Sequence, residues 1–246
     1  MTLEKKDPLK DEFQLFLIGS GSSSTVSNIN SNHLFVNTSF CRVIPENGTY
    51  NINRVFITDT YLNLRNVFEA KPIPGLSTEK SLRIRTQKIE MLSALIVDSV
   101  FMVTKIPQEK VLQGLKKLGV RYNNLTIISR RRLYWNCLKL MISSSNFSLI
   151  HFINWIFAFV TNKKPRPKFR PSTGLIALII SSVDIPSGSR IAISGVNTNT
   201  NIYGKNLKSF KSKNIHEETD ALLLRYLTTF YRLAACHSDK ILCPDK

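Results

Sequence analysis

The stretch that decides the fold is Phe13-Gln-Leu-Phe-Leu-Ile18, which runs directly into Gly19-Ser20-Gly21. A short apolar run that stops at a tight glycine turn is typical of a buried parallel strand that leads into a helix. Further runs of strand type lie at residues 34–36, 54–57, 93–103, 125–128, 190–194 and 240–243. Helical patterns lie at residues 108–118, 175–183 and 219–235, and two more helices are predicted within 133–160.

The alternation of strands and helices predicts an α/β fold, namely a Rossmann-like three-layer sandwich with a mostly parallel central sheet. A chain of 246 residues can bury one sizeable core, so we predict a single domain over residues 1–246. In such sheets ligands bind at the carboxyl ends of the strands, near a switch in strand order. Polar loops at strand ends and helix starts are therefore the candidate functional segments.

The charge of the chain is unevenly distributed. The net charge is +17, and residues 105–170 contain 14 lysines and arginines but one acid, Glu109. A local excess of one sign points to an anionic partner, for which nucleic acid, a phosphorylated ligand and an acidic membrane surface are the alternatives.

Residues 133–160 are apolar and aromatic, but polar residues interrupt them repeatedly. A membrane-spanning helix needs about 20 mostly apolar residues without such breaks, so we predict two helices that are partly buried or lie on a membrane. A basic, proline-broken linker follows at residues 162–170. Aromatic anchors beside a cationic run suit contact with an anionic inner-membrane surface, and a core helix pair with a solvated linker is the alternative.

Two loops have the composition of anion-binding segments. Gly19-Ser20-Gly21 can bring backbone N–H groups close to a phosphate, although the third glycine of a dinucleotide-binding fingerprint is absent. Arg170-Pro-Ser-Thr-Gly174 places a guanidinium, two hydroxyls and a glycine at a helix start, where the helix dipole favours negative charge. A tight turn without a ligand and simple helix capping are the alternatives.

A third loop supplies a candidate base. His216 opens the sequence His216-Glu-Glu-Thr-Asp220 before the last predicted helix. The positive end of the helix dipole disfavours the imidazolium form, whereas the neighbouring glutamates favour it. A neutral imidazole can accept a proton from a hydroxyl, so His216 is a candidate general base; a solvated loop histidine is the alternative.

Taken in order along the chain, these motifs resemble the bacterial sialyltransferases of glycosyltransferase family 42. The resemblance rests on the G-x-G turn, Asn37 at the end of the second strand, R-P-S-T-G at 170–174, I-S-G-V-N at 193–197 and H-x-x-x-D at 216–220. It covers residues 13–59 and 170–244, and the middle of the chain does not align. Those enzymes are inverting, need no metal and use a CMP-activated sialic acid. The resemblance therefore implies that activity, without a metal or other cofactor.

The resemblance also implies a site in which His216 is the general base. The donor-binding residues that it implies are Gly19, Ser20, Gly21, Asn37, Thr58, Asp59, Arg170, Ser172, Thr173, Gly174, Asn197 and Tyr203. Ser20 replaces a family asparagine, Asn197 replaces an acid, and Tyr203 stands alone where the family has two tyrosines. The donor thus stays open between sialic acid and a related CMP-activated acidic sugar such as Kdo, legionaminic acid or pseudaminic acid.

This interpretation gives each part of the chain a role. Residues 12–132 would be the nucleotide-binding part, 133–170 an apolar and basic, membrane-proximal helical insertion, and 171–246 the C-terminal part with the catalytic loop. The acceptor would be a saccharide or glycolipid. The charged start of the chain, with Pro8, does not resemble a secretory signal, so we predict a cytoplasmic protein that binds peripherally to the inner membrane. A homo-oligomer is compatible with this interpretation.

Two other classes of protein remain open. Arg130-Arg-Arg132 beside Tyr134 and Trp135 favours a nucleic-acid-binding α/β protein, although no nucleic acid is expected under the main interpretation. A catalytically inactive relative, which would only bind a nucleotide or a membrane, is the other. The four cysteines show no metal-binding spacing, and the chain has no evident DxD pair for a divalent ion, which fits metal-independent transfer.

Overall fold

The computed structural model describes residues 13–19, 31–63, 77–144, 147–195, 216–237 and 240–242. Within these residues the chain forms eight strands, which are β1 (Phe13–Ile18), β2 (His33–Val36), β3 (Tyr50–Phe56), β4 (Leu95–Val103), β5 (Arg121–Ile128), β6 (Arg190–Ser194), β7 (Arg232–His237) and β8 (Lys240–Leu242). The same residues form six α-helices, which are α1 (Thr78–Ser93), α2 (Gln108–Leu118), α3 (Arg130–Ile142), α4 (Leu149–Thr161), α5 (Thr173–Ser182) and α6 (Glu217–Phe230).

The eight strands of the described chain form one sheet in the order β5-β4-β3-β2-β1-β6-β7-β8. The first seven strands in chain order run parallel, and β8 pairs antiparallel with β7. The chain builds outward from β1 to β5 and then returns to place β6 beside β1. The strand order therefore reverses between β1 and β6, which is the place where doubly wound sheets open a crevice at their carboxyl edge.

Helices cover both faces of the sheet. Leu34 and Val36 of β2 pack in a core with α3, α4, α5 and α6, whereas Phe35 between them packs in a second core with α1 and α2. Successive side chains of a strand point to opposite faces, so burial of both faces requires a continuous apolar run. This is why β1 is apolar from Leu15 to Ile18 and β2 from Leu34 to Val36. The predicted α/β fold with a mostly parallel central sheet is confirmed.

The apolar and basic segment belongs to the helical layer. Helices α3 and α4 pack against each other, and α3 also contacts α5 and α6. Cys137, Met141, Trp155 and Ala158 of these helices are buried in the same core as β1 and β2. The two predicted helices are thus present, but they form part of one face of the fold rather than an insertion beside it. Among the described residues, no helix has the length and apolar character needed to cross a membrane.

Several predicted elements have the expected bounds and others are corrected. β1, β6 and α2 match the prediction. The predicted strand at 93–103 begins at Leu95, because Ser93 is the last residue of α1, a helix that the sequence did not indicate. The predicted helix at 219–235 ends at Phe230, where the extended backbone of Tyr231 turns the chain into β7. Pairing with β6 makes residues 232–235 a strand, because pairing within a sheet overrides local helix propensity.

Candidate functional site

A pocket of about 200 Å³ opens at the carboxyl edge of the sheet. It lies at the ends of β3 and β4, against the first turns of α3, α5 and α6. Its lining residues are Phe56, Thr58, Asp59, Thr60, Val103, Arg130, Leu133, Tyr134, Lys164, Arg170, Pro171, Thr173, Ile176 and His216. Phe56 and Val103 line it from the strand ends, and Leu133 and Ile176 line it from helices. The polar residues come from five separate segments of the chain.

Five of the residues that the sequence singled out line this pocket together. They are Thr58, Asp59, Arg170, Thr173 and His216. Residues 59 and 216 are far apart in sequence, so only the parallel sheet brings them to one edge. The structure therefore brings these five predicted residues, but not the Gly19 end of the first predicted loop, to one pocket.

The other predicted residues fall into two groups. Gly19 is buried at the end of β1, where its N–H donates to the carbonyl of Ser194, 2.7 Å away. Ser172 caps α5 by accepting from the N–H of Leu175, 3.5 Å away, and Gly174 follows in the first turn of that helix. Gly19, Asn37, Ser172 and Gly174 are not among the lining residues. Four further predicted residues lie outside the described residues: Ser20, Gly21, Asn197 and Tyr203.

Asn37 organises the edge rather than lining the pocket. Its backbone is left-handed, with φ of 55°, a conformation that asparagine tolerates better than most residues. Its Oδ1 accepts from the N–H of Thr58 at 3.0 Å and from the Thr58 hydroxyl at 3.2 Å. The side chain thus ties the end of β2 to the loop after β3, which fixes Thr58 at the pocket rim.

The pocket wall is positively charged. Among the described residues that line it, Arg130, Lys164 and Arg170 contribute three cations and Asp59 contributes the single carboxylate. Asp59 lies 2.9 Å from Arg130 Nη2 and 3.9 Å from Lys164 Nζ. Burial lowers the pKa of Lys164, and the nearby Arg130 and Arg170 lower it further, although Asp59 opposes them. Several cations held this close together favour an anionic ligand.

The proton arrangement of His216 follows from one hydrogen bond. Nδ1 of His216 lies 2.8 Å from the backbone carbonyl oxygen of Arg170. A carbonyl can only accept, so Nδ1 carries the proton, and the lone pair of the neutral ring is on Nε2. The sequence assigned both residues to the site, and the structure adds the contact that sets the tautomer.

Asp220 connects the segments that lead into α5 and α6. It is fully buried in the first turns of α6, one helical turn after His216, and its Oδ1 accepts from the N–H of Ser172 at 2.8 Å. Burial raises the pKa of Asp220 to about 6, while the hydrogen bond from Ser172 and the nearby His216 act in the opposite direction. The carboxyl group therefore links the start of α5 to the start of α6.

A buried hydrogen-bond chain fixes α6 against α4. The Thr219 hydroxyl donates to the carbonyl of Lys168, so its oxygen accepts from Nε2 of His151, 3.1 Å away. Nδ1 of His151 then accepts from the Ser148 hydroxyl at 2.9 Å. Burial lowers the pKa of His151, consistent with a neutral ring in this chain. The indole of Trp155 donates to the carbonyl of Phe169 at 2.8 Å and holds the linker to the same helix.

Arg130, Tyr134 and Lys164 are the functional candidates that sequence reasoning did not place in the site. The Arg130-Arg-Arg132 run indicated nucleic acid, and Lys164 indicated a membrane-facing linker. The position of Arg130 directly after a strand could have placed it in the site. Ser129 follows β5 and caps α3 by accepting from the N–H of Arg132, 3.2 Å away. Arg130 is therefore in a first helical turn at the carboxyl edge, and Tyr134 lies one turn later on the same side.

Comparison with known proteins returned no relative, because no family model, no curated protein and no solved structure matches the chain. Within the described residues, no group of three or more histidine, cysteine, aspartate or glutamate side chains is arranged to hold a metal ion. The fold and the pocket thus define a class, a doubly wound α/β protein with a cationic pocket at the carboxyl edge of its sheet.

Proposed function

We propose that this protein is a glycosyltransferase that moves sialic acid, or a related acidic sugar, from a CMP-activated donor to a saccharide acceptor. The observation that carries the proposal is the position of His216, whose Nδ1 donates to the Arg170 carbonyl in a pocket walled by three cations. A base and an anion site at one edge are what transfer from an acidic nucleotide sugar requires. The resemblance of the loop motifs to the family 42 sialyltransferases points the same way.

The charge of the pocket suits the donor. A CMP-activated acidic sugar has a phosphate and a sugar carboxylate close to the reacting carbon. Arg130 and Arg170 are suited to such oxyanions because a guanidinium offers several donors in one plane. Thr173, at the first position of α5, adds a hydroxyl and the positive end of the helix.

The size of the pocket limits what it can hold. A volume of about 200 Å³ accommodates a sugar ring with its adjoining phosphate, not a whole nucleotide sugar. We assign the reacting end of the donor to this pocket. The nucleotide would then extend toward the switch point between β1 and β6, the side on which Gly19 lies.

The proposed reaction is a single displacement with inversion. The bond between the anomeric carbon and the phosphate oxygen breaks, and its electron pair leaves with CMP. The acceptor oxygen forms the new bond from the opposite face, and its proton passes to Nε2 of His216. The cations of the pocket wall stabilise the charge that builds on the departing phosphate.

A nucleotide screen by thermal shift tests the donor. CMP should raise the Tm without added metal, and UDP and GDP should not. If UDP stabilises the protein and CMP does not, the donor assignment fails. If random oligonucleotides bind at low salt while CMP has no effect, the protein belongs to the nucleic-acid-binding class instead.

Replacement of His216 tests the base. His216→Ala and His216→Gln should lower the rate of transfer roughly 10²–10⁴-fold, the usual contribution of a positioned base, and leave CMP binding intact. Glu217→Gln, at the exposed neighbouring position, is the matched control and should keep full activity. Loss of CMP binding in both His216 variants would make the residue structural. CMP binding without transfer of any CMP-activated acidic sugar by the wild type would indicate an inactive relative.

A further inference from the structure

Helix α4 has two apolar faces, and the described part of the chain covers only one of them. His151, Trp155 and Ala158 are buried in the core. The opposite side exposes six residues, each between 38% and 63% accessible, and all of them are apolar: Leu149, Ile150, Ile153, Ile156, Phe157 and Val160. At 3.6 residues per turn these positions form one stripe roughly 120° wide along the whole helix. An apolar stripe of this width on a surface marks an interaction site.

The stripe continues beyond α4. Phe147 precedes the helix and is more than half exposed, as is Ile142 at the end of α3. Trp135 of α3 is 43% exposed and packs against Phe159 of α4, with ring centroids 5.5 Å apart. We call this surface of α3 and α4 the apolar patch.

Cations lie at the apolar patch and in the linker that follows α4. Arg131 donates from Nη2 to the carbonyl of Val160 at 3.3 Å, and Lys139 lies over the Trp135 ring, 5.6 Å from its centroid. The linker after α4 adds three exposed basic residues, Lys163, Arg166 and Lys168. The sequence contains no aspartate or glutamate from residue 110 to residue 183, so no acid of this segment offsets the charge.

We propose that the apolar patch docks on the surface of an anionic lipid bilayer. Apolar and aromatic side chains with flanking cations are the two signals that stable peripheral binding needs. A second copy of this chain would place the same cations against each other, which disfavours a dimer through this face. Helix α4 has 13 residues and a length of about 20 Å, less than the ~30 Å hydrocarbon core, so it lies in the interface plane.

Docking would fix the height of the pocket above the bilayer. The buried side of α4 is joined to the catalytic loops through Trp155, bonded to the Phe169 carbonyl, and through His151, bonded to Thr219. These two hydrogen bonds join the helix to the segments that lead into the pocket. If the pocket transfers a sugar, a fixed height would suit an acceptor that is anchored in the membrane. That consequence rests on the proposed function, whereas the docking itself does not.

Vesicle sedimentation with the full chain tests the docking. The protein should bind phosphatidylcholine vesicles that contain about one-third phosphatidylglycerol, bind pure phosphatidylcholine at least roughly 10-fold more weakly, and be released by salt. Lipids brominated near the glycerol end of their chains should quench Trp135, the exposed tryptophan, because it lies at the edge of the patch. Equal binding to neutral and anionic vesicles, or no binding to either at low salt, would overturn the proposal.

Paired variants separate the patch from general effects. Ile153→Glu/Phe157→Glu should abolish sedimentation, and Lys163→Glu/Arg166→Glu should reduce it roughly 10-fold or more, with unchanged circular dichroism and CMP-induced thermal shift. Ile44→Glu/Leu112→Glu, at exposed apolar positions outside the apolar patch, is the control and should bind like the wild type. If the control loses binding equally, or if Ile153→Glu/Phe157→Glu converts a lipid-free dimer into a monomer, the patch is not a membrane surface.

Discussion

The guanidinium of Arg130 lies 2.9 Å from the carboxylate of Asp59, which is 71 positions earlier in the chain. The pair joins the end of β3 to the start of α3, and the side chains are only 10% and 15% exposed. The Thr104 hydroxyl, at the end of β4, also donates to Asp59 at 3.4 Å. Three neighbouring parallel strands thus meet at one carboxylate. Asp59 both orients Arg130 and offsets part of the positive charge of the pocket wall.

Removal of Asp59 should destabilise the protein. Asp59→Ala leaves a mostly buried guanidinium without its partner, so we expect the free energy of unfolding to fall by about 2–4 kcal/mol in urea denaturation. Asp98→Ala, at an exposed position on β4 where the carboxylate accepts from Asn123, is the control and should change it by less than about 0.5 kcal/mol. Inorganic phosphate should stabilise Asp59→Ala more than the wild type. Equal losses of unfolding free energy in Asp59→Ala and Asp98→Ala would contradict the role assigned to Asp59.

The sequence was sufficient for the strands that are buried on both faces. The apolar run of β1 ends at Gly19, so the end of this strand was predicted. The end of helix α2 was also predicted, and Gly119 follows it in the left-handed conformation. Helix α1 was missed because it buries only Ser81 and Leu92 and has no clear apolar stripe. β7 was mistaken for helix because its strand character comes from pairing with β6, a contact that local sequence does not encode.

Part of the site could be predicted because of the parallel sheet. The ends of parallel strands meet at one edge, so the loops with Asp59, Thr173 and His216 could be expected together without knowledge of the strand order. Arg130 and Lys164 could not be placed, because their membership depends on how α3 and the linker after α4 cross that edge. Charge composition predicted an anionic partner, but not which cations would share the pocket with Asp59.

The Thr219 hydroxyl should contribute more to the free energy of unfolding than its small size suggests. Thr219→Val keeps the shape of the side chain but leaves the Lys168 carbonyl and the Nε2–H of His151 without their buried partner. We expect a loss of about 1–3 kcal/mol in the free energy of unfolding, measured by thermal or urea denaturation. Thr228→Val, at an exposed position of the same helix, is the control and should be nearly neutral. A neutral Thr219→Val would show that water or a shifted side chain replaces the chain of hydrogen bonds.

Two glycines with left-handed backbones should differ in their tolerance of alanine. Gly119 has φ of +77°, and a Cβ built there lies 3.1 Å from Cβ of Ser93. Gly48 has φ of +74° and no atom within 4 Å of such a Cβ. The backbone strain of about 1–2 kcal/mol is common to both, so Gly119→Ala should cost more than Gly48→Ala by the additional contact. Comparison of the two urea midpoints checks this, and a larger loss for Gly48→Ala would refute the steric account.

Burial of Asp220 should give the stability an unusual pH dependence. Burial raises its pKa from 3.8 to about 6, so the folded protein holds a proton that the unfolded chain has already lost between these values. This group therefore stabilises the fold fully below about pH 4, and its contribution declines as the pH rises toward 6. Asp220→Asn keeps an oxygen for the Ser172 N–H and cannot ionise. Its free energy of unfolding relative to the wild type should rise by about 2–3 kcal/mol between pH 4 and pH 7.

The same experiment distinguishes Asp220 from other acids of the helix. Glu217 is exposed at the first position of α6, so the difference between Glu217→Gln and the wild type should change little with pH. A flat difference for Asp220→Asn as well would mean that the carboxylate is solvated in the folded state. A difference that decreases with pH would mean that the hydrogen bond from Ser172 and the nearby His216 outweigh burial. Only the predicted rise supports a buried carboxyl group that joins the starts of α5 and α6.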